Sequence, residues 1–340
     1  MQPISPARKP SRRGYYVVIA LVLIVVGGWS AYWTAGRGIA ADILRNAKKV
    51  AAAEGGELAC SDQALGGFPF RFELSCRPLQ IADARGNRAT LRALRGIALA
   101  YNPKHLILEA DGPLEASGAT PRPMSLSAGW ESARSSLRIG EGSVERVDAV
   151  FDLPRFTLTD AAIGAAGLSA QSIEVHARRV RTDSDGLDIA LLAKGAAVPQ
   201  LSAGVDAELV LSLPRGGPLL AGGKEFAAYL SGDEPVRITS LRLSSGASSL
   251  QGHGALTFNA DGMPSGEVML TVAGSEQLAA TLAPFFPAES TVPTALQGAV
   301  LGLGGQTTLD GEPARSVTVS IDNGRARVGL VPLGTLPPMF

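Results

Sequence analysis

The chain has 340 residues, with Lys plus Arg and Asp plus Glu each at 31, so its formal net charge is zero. That balance argues against a strongly basic nucleic-acid binder and against an acidic disordered tail, while 46% hydrophobic against 18% charged residues excludes a mostly disordered chain. Glycine at 40 and proline at 22 describe many turns, and three His with two Cys leave few metal ligands or catalytic bases.

The first element is YYVVIALVLIVVGGWSAYWTA, Tyr15 to Ala35, without a charge. At about 1.5 Å per residue such a helix spans roughly 30 Å, the thickness of a bilayer hydrocarbon core. Arg8, Lys9, Arg12 and Arg13 precede it and no acid occurs before Asp42. The positive-inside rule therefore keeps residues 1–14 in the cytoplasm, anchors residues 15–35 in the inner membrane and exports the remainder to the periplasm. Trp29, Tyr32 and Trp33 fall at the far end, where amphipathic rings favour the interface. A cleavable signal peptide is the competing reading, but its apolar region would be about 7–15 residues and end in small residues. A lipoprotein site at Leu58-Ala59-Cys60 is disfavoured by Glu57 and by its distance from the apolar run. A buried helix of a soluble protein is opposed by the run's length and by the cations before it.

Residues 36–56 have helix-forming composition and a Gly-Gly stop, which predicts a juxtamembrane helix kinked or interrupted near Gly36 and Gly38. Residues 57–340 follow as an exported β-rich domain that could divide near residue 200. In an oxidising compartment Cys60 and Cys76, the only cysteines, read as one disulfide. Closing that loop would stabilise the fold by about 3 kcal/mol. Two buried free thiols are the alternative.

Phe68, Phe70, Phe72 and Leu74 alternate with Pro69, Arg71, Glu73 and Ser75, which predicts a strand with the phenylalanines facing inward. Strand-like runs continue at 94–102, 105–110, 136–140, 143–153, 172–180, 186–194, 206–213, 236–245, 252–260, 266–274, 316–324 and 325–333. Asp111-Gly112, Asp185-Gly186, Asp261-Gly262, Asp310-Gly311 and Asn323-Gly324 read as turns between them. Asp261-Gly262-Met263-Pro264 and Asp310-Gly311-Glu312-Pro313 also suggest a repeated hairpin, or shared turn chemistry alone. Short helices are expected at 224–230 and at 275–286, the latter capped by Ser275 and closed at Pro284 or Pro287. The predicted fold is mainly β: a long twisted or folded-over antiparallel sheet behind a transmembrane helix, with short capping helices.

Tests for chemistry return nothing. The nucleophile-elbow pattern fails at Leu250 in Gly246-Ala247-Ser248-Ser249-Leu250, and the phosphate-loop pattern fails at Gly223-Lys224-Glu225. Asp183-Ser184-Asp185-Gly186 lacks the later acceptors of a calcium loop. His105, His176 and His253 each stand alone on a strand-like run. No catalytic residue, cofactor site or metal site is assigned, and a non-enzymatic protein is expected.

Cys60 to Cys76 reads CSDQALGGFPFRFELSC. With the anchor before it, this stretch resembles an uncharacterised bacterial membrane-anchored family, catalogued as domain of unknown function number twenty-one twenty-five. The family pattern of Gly-Phe-Pro-Phe-Arg between two cysteines is matched by Gly67, Phe68, Pro69, Phe70 and Arg71. Residues 254–272 and 323–340 are also similar to it. The resemblance implies no activity. A more distant, architectural likeness to AsmA-like envelope proteins implies an anchor, a long β-sheet and a hydrophobic groove. The expected function is binding of a lipid acyl chain or other apolar envelope component in a sheet groove. The alternative is a structural role in an envelope protein complex, with the Pro-rich end Leu336-Pro337-Pro338-Met339-Phe340 as one contact.

Overall fold

A computed structural model of the chain describes residues 12–118, 123–140, 142–160, 164–181, 185–199, 204–220, 226–232, 234–283, 286 and 289–339. Arg8 and Lys9 of the basic tail, Asp183 and Ser184, Gly223, Lys224 and Glu225, Pro284, Phe285, Pro287 and Phe340 lie outside the described residues.

Helix α1 (Arg12–Ala53) runs 42 residues without a break. The expected interruption at Gly36 and Gly38 is absent. Each glycine costs a helix about 1 kcal/mol, and here the Ala, Leu and Ile residues around them and the packing of α1 on the sheet outweigh that. The helix stops at Gly55 (φ 76°). There the Gly55 N–H donates to Ala52 O and the Gly56 N–H to Ala51 O, the double bond of a Schellman cap.

Strands β1 (Glu57–Gly66), β2 (Arg71–Ala82), β3 (Arg88–Leu99) and β4 (Asn102–Gly118) form an antiparallel meander. After β5 (Met124–Gly129), β6 (Ser132–Ile139), β7 (Val144–Asp152), β8 (Arg155–Asp160) and β9 (Gly164–Ser169) come β10 (Ser172–Val180), β11 (Gly186–Ala196) and β12 (Val205–Leu213). Beyond the short helices α2 (Gly217–Leu220) and α3 (Phe226–Leu230) lie β13 (Val236–Ser245), β14 (Ser248–Phe258) and β15 (Pro264–Ala273). The chain ends with α4 (Leu278–Leu282), α5 (Val292–Leu303), β16 (Gly305–Leu309), β17 (Glu312–Asp322), β18 (Arg325–Val328) and β19 (Val331–Thr335). The 19 strands among the described residues belong to one antiparallel sheet, so the mainly β architecture read from alternation holds. β11 pairs with β12 across the region of residue 200.

The sheet forks at β4. Residues 105–110 pair with β6, and residues 114–118 pair with β5, which carries β8 and β9 outward. Asp111-Gly112 is therefore not a turn; it is the corner at which one strand changes partner. Pro113 offers no N–H to a ladder there. Trp130 packs over Gly112, where a Cβ would lie 3.3 Å from the indole. Its Nε1–H donates to Ala110 O at 2.8 Å or less (2.7 Å), and its ring meets Phe151 edge-on at 5.7 Å. Asp310-Gly311 and Asn323-Gly324 do close hairpins, with positive φ at both residues of each pair. Asp261-Gly262 joins β14 to β15. Residues 325–333, read as one strand, break at Gly329-Leu330 into β18 and β19.

The largest core lies at the C-terminal end. There α4 and α5 bring Leu278, Leu282, Leu296 and Val300 onto Leu250, Leu270, Val272, Val317 and Val319 of the sheet. A second cluster joins Leu187 and Leu213 to Tyr229, Leu230 and Val236. At residues 275–282 a 3-10 turn (Ser275–Gln277) leads into α4, and Gly274 rather than Ser275 stands at the start, without a side-chain cap.

Candidate functional site: an apolar groove beneath helix α1

Strand alternation sorts side chains by face, and the register fixes which of them meet. Glu73, Arg95, Glu109 and Arg134 share one face with Asp148, Asp152, His176, Arg178 and Asp188. Ion pairs run across it: Arg95 to Glu73 (3.4 Å) and Glu109 (3.1 Å), Arg134 to Asp152 (3.5 Å) and Arg178 to Asp188 (3.1 Å). Pairs this exposed contribute little each; their effect is a wet face.

The opposite face is apolar. Phe72, Leu74, Cys76 and Leu79 of β2 lie beside Leu94, Gly96 and Ala98 of β3 and Leu106 and Leu108 of β4. Helix α1 crosses above with Tyr32, Gly36, Ile39, Ala40, Ile43 and Leu44. Between helix and sheet is a groove of about 510 Å³, and no residue lining it is charged. Its one polar tip, the Tyr32 hydroxyl, is used: it donates to Ala100 O at 2.6 Å. The size falls within the range of small-molecule sites, roughly 300–1,000 Å³. The same face continues away from α1 to a second cavity of about 440 Å³, where Ile81, Ala89, Ala116, Met124, Leu126 and Leu158 form the floor and Asp83, Asn87 and Arg88 the rim.

The hairpin between β1 and β2 leads into the groove at Phe72, and the five residues of the sequence motif build it. Gly67 has φ 99°, and a Cβ there would fall 2.5 Å from Arg71 O, so only glycine fits. The Arg71 N–H donates to Gly67 O at 3.0 Å. Two indoles of α1 hold this tip: Trp29 Nε1–H donates to Pro69 O and Trp33 Nε1–H to Arg71 O, both at 2.8 Å. Trp33, 9% exposed, is the one buried residue of α1; Phe68 meets it edge-on at 5.3 Å and Phe72 stacks on it at 6.2 Å. The expectation that Phe68, Phe70 and Phe72 face inward together is corrected. Phe68 and Phe70 lie in the turn, 56% and 67% exposed, and only Phe72 enters the groove. A turn breaks the two-residue period on which that reading relied. Cys60 and Cys76 form the disulfide, with Cα atoms 5.3 Å apart, tying β1 to β2, and Cys76 lines the groove.

On the polar face His176 is not alone. Its Nδ1 lies 2.8 Å from Asp148 and its Nε2 3.2 Å from Glu174. The hydrogen bond to Asp148, and then that to Glu174, raise its pKa above the usual imidazole value; Arg146 first, and His176 after it, lower that of Asp148. His105 Nε2 lies 2.7 Å from Ser136 Oγ. Histidine with carboxylates and histidine with serine thus occur at separate places rather than in one constellation. His253 is exposed on β14. Among the described residues no group of three or more His, Cys, Asp and Glu is arranged to hold a metal ion.

The chain belongs to the bacterial family described as "Uncharacterized protein conserved in bacteria (DUF2125)", whose model matches residues 33–337. No curated protein and no solved structure matches the chain, and the AsmA-like likeness rests on the strand-rich architecture alone. The match begins at Trp33, the indole that holds the hairpin.

Proposed function

We propose that this is a single-span inner-membrane protein with a periplasmic β domain, whose groove between α1 and β2–β4 receives the acyl chain of a membrane lipid and performs no reaction on it. The observation that carries the reading is the uncharged groove of about 510 Å³ that starts at Tyr32, inside the apolar run of the anchor. An acyl chain leaving the bilayer beside α1 meets apolar wall from its first exposed methylene, and each methylene buried is worth about 0.8 kcal/mol. The disulfide fits an oxidising compartment, and the cations before Tyr15 fit an N-terminus left in the cytoplasm.

The test is extraction of the full chain in native membrane patches, followed by delipidation in mild detergent and mass spectrometry of the lipids that remain. Gly96→Leu is the informative variant. A Cβ at Gly96 makes ordinary contacts, 3.5 Å to Leu108 Cδ2 and 3.9 Å to Leu106 Cδ1, so a larger side chain fills the groove without backbone strain. Retained lipid should fall several-fold while thermal stability is kept. Equal retention by both proteins would remove the groove as the lipid site.

A further inference from the structure

The hairpin tip gains a second role from its height on α1. Trp29 stands six residues before Ala35, the end of the apolar run, which is about 9 Å at 1.5 Å per residue. Since the Trp29 indole bonds to Pro69 O, the tip lies below the level at which the helix leaves hydrocarbon. The loop between β3 and β4 is at the same level: Tyr32 holds Ala100 O, and the Ala100 N–H donates to Phe70 O at 2.8 Å.

What these two loops present outward fits that depth. Phe68, Phe70 and Tyr101 are 56%, 67% and 71% exposed. Among the described residues beyond α1, Phe226 is the one other Phe, Tyr or Trp so exposed. Exposed cations follow each aromatic segment in the chain: Arg37 after Ala35, Arg71 after Phe70, Lys104 after Tyr101. Aromatic rings at the hydrocarbon boundary with cations just outside is the order that suits a lipid interface and its phosphates. The turn at the other end of β2 and β3, Asp83-Ala84-Arg85-Gly86, carries no aromatic residue.

We infer that the β1–β2 tip and the β3–β4 loop are seated in the outer leaflet of the same bilayer, so that the domain rests on the membrane through Phe68, Phe70 and Tyr101 as well as hanging from α1. This rests on α1 spanning the membrane but not on the groove holding lipid. It gives the Gly-Phe-Pro-Phe-Arg motif a task distinct from docking on α1.

The experiment uses the full chain in vesicles of phosphatidylethanolamine and phosphatidylglycerol, with a nitroxide on one introduced cysteine at a time, since Cys60 and Cys76 are joined and do not label. The positions are Phe70→Cys, Tyr101→Cys, Leu21→Cys in the apolar run, and Arg85→Cys at the distal turn. Collision with an aqueous nickel complex is compared with collision with oxygen. At both loop positions the nickel collision rate should fall several-fold below that at Arg85→Cys, with oxygen collision raised. A Tyr101→Cys label as open to nickel as Arg85→Cys, while Leu21→Cys is shielded, would overturn the proposal and leave the anchor intact. An unshielded Leu21→Cys would overturn the anchor and this proposal together. Tyr101→Cys leaves the hairpin untouched, so a hairpin damaged by Phe70→Cys cannot decide the result alone.

Discussion

Replacing Gly36 by Ala sets two terms of known size against each other. Alanine raises helix propensity over glycine by about 1 kcal/mol. A Cβ at Gly36 would, however, sit 2.6 Å from Cε1 of Phe72 and overlap the tip of that ring. For the ring to swing clear it must disturb its stack on Trp33 and its edge contact with Tyr32, both at 6.2 Å between ring centroids. Overpacking of this kind costs about 1–3 kcal/mol, so Gly36→Ala should be neutral to destabilising by up to about 2 kcal/mol. Gly38 is the control: nothing lies within 4 Å of a Cβ there, so Gly38→Ala keeps the propensity gain. Thermal unfolding of the full chain in detergent micelles should move down or stay level for Gly36→Ala and move up for Gly38→Ala. In a Phe72→Leu background, with the ring gone, Gly36→Ala should become stabilising as well, and the double-mutant cycle then isolates the contact. Equal upward shifts for both glycines in the parent protein would refute the claim that α1 closes on Phe72.

Three other outcomes follow from the same structure. His176 has its pKa raised by Asp148 and Glu174, so its contribution to stability is complete below the unfolded value of about 6.5 and is lost as pH rises through the folded value. Its imidazole NMR titration should have a midpoint above 6.5 that falls in Asp148→Asn, and a midpoint at or below 6.5 in the parent would contradict the pairing. Cys60→Ser with Cys76→Ser should destabilise the oxidised protein by about 2–5 kcal/mol, and reductant should lower the melting temperature of the parent but not of the double variant. Trp130→Ala removes the bond to Ala110 O and the contact with Phe151 at the fork. At this half-buried site it should cost about 3 kcal/mol, the low end for such truncations, and denaturant unfolding that gives the parent's stability would dissociate Trp130 from the fork.

Legibility in the sequence followed the range of the cause. The long apolar helix, the pair of cysteines and most longer strands depend on neighbours a few residues away, and hydropathy, alternation and Asn-Gly or Asp-Gly turns reported them. Asp111-Gly112 carried the same local signal as a turn, but its role is set by β5 and β6 competing for β4, information spread over residues 105–138. Helix α5 is Val-Pro-Thr-Ala-Leu-Gln-Gly-Ala-Val-Leu-Gly-Leu; it is apolar almost all round, so no helical stripe stands out until the core it fills is known. The short strands β5, β8, β9 and β16 each carry at most two large apolar residues, too few for an alternation to stand out. The groove was expected in kind and not in place, because its walls come from residues 32–44 and 72–108 and meet through three aromatic hydrogen bonds. Trp29, Tyr32 and Trp33 were readable as a cluster of amphipathic rings; that the two indoles grip the β1–β2 hairpin and Tyr32 the β3–β4 loop was not.

The unbroken course of α1 from Arg12 to its cap at Gly55 couples the β domain to the apolar run before Ala35 by phase as well as by attachment. A jointed tether would let the domain choose its own heading. Here one residue inserted between Ala35 and Ile39 would lift Ile39 and Ile43 by about 1.5 Å and rotate them by about 100° relative to Trp29 and Trp33. The indoles would then still point at the hairpin while the rest of the helix faced away from Leu74 and Leu94. Such an insertion leaves every charge and every apolar residue in place, yet it turns the roof off the groove.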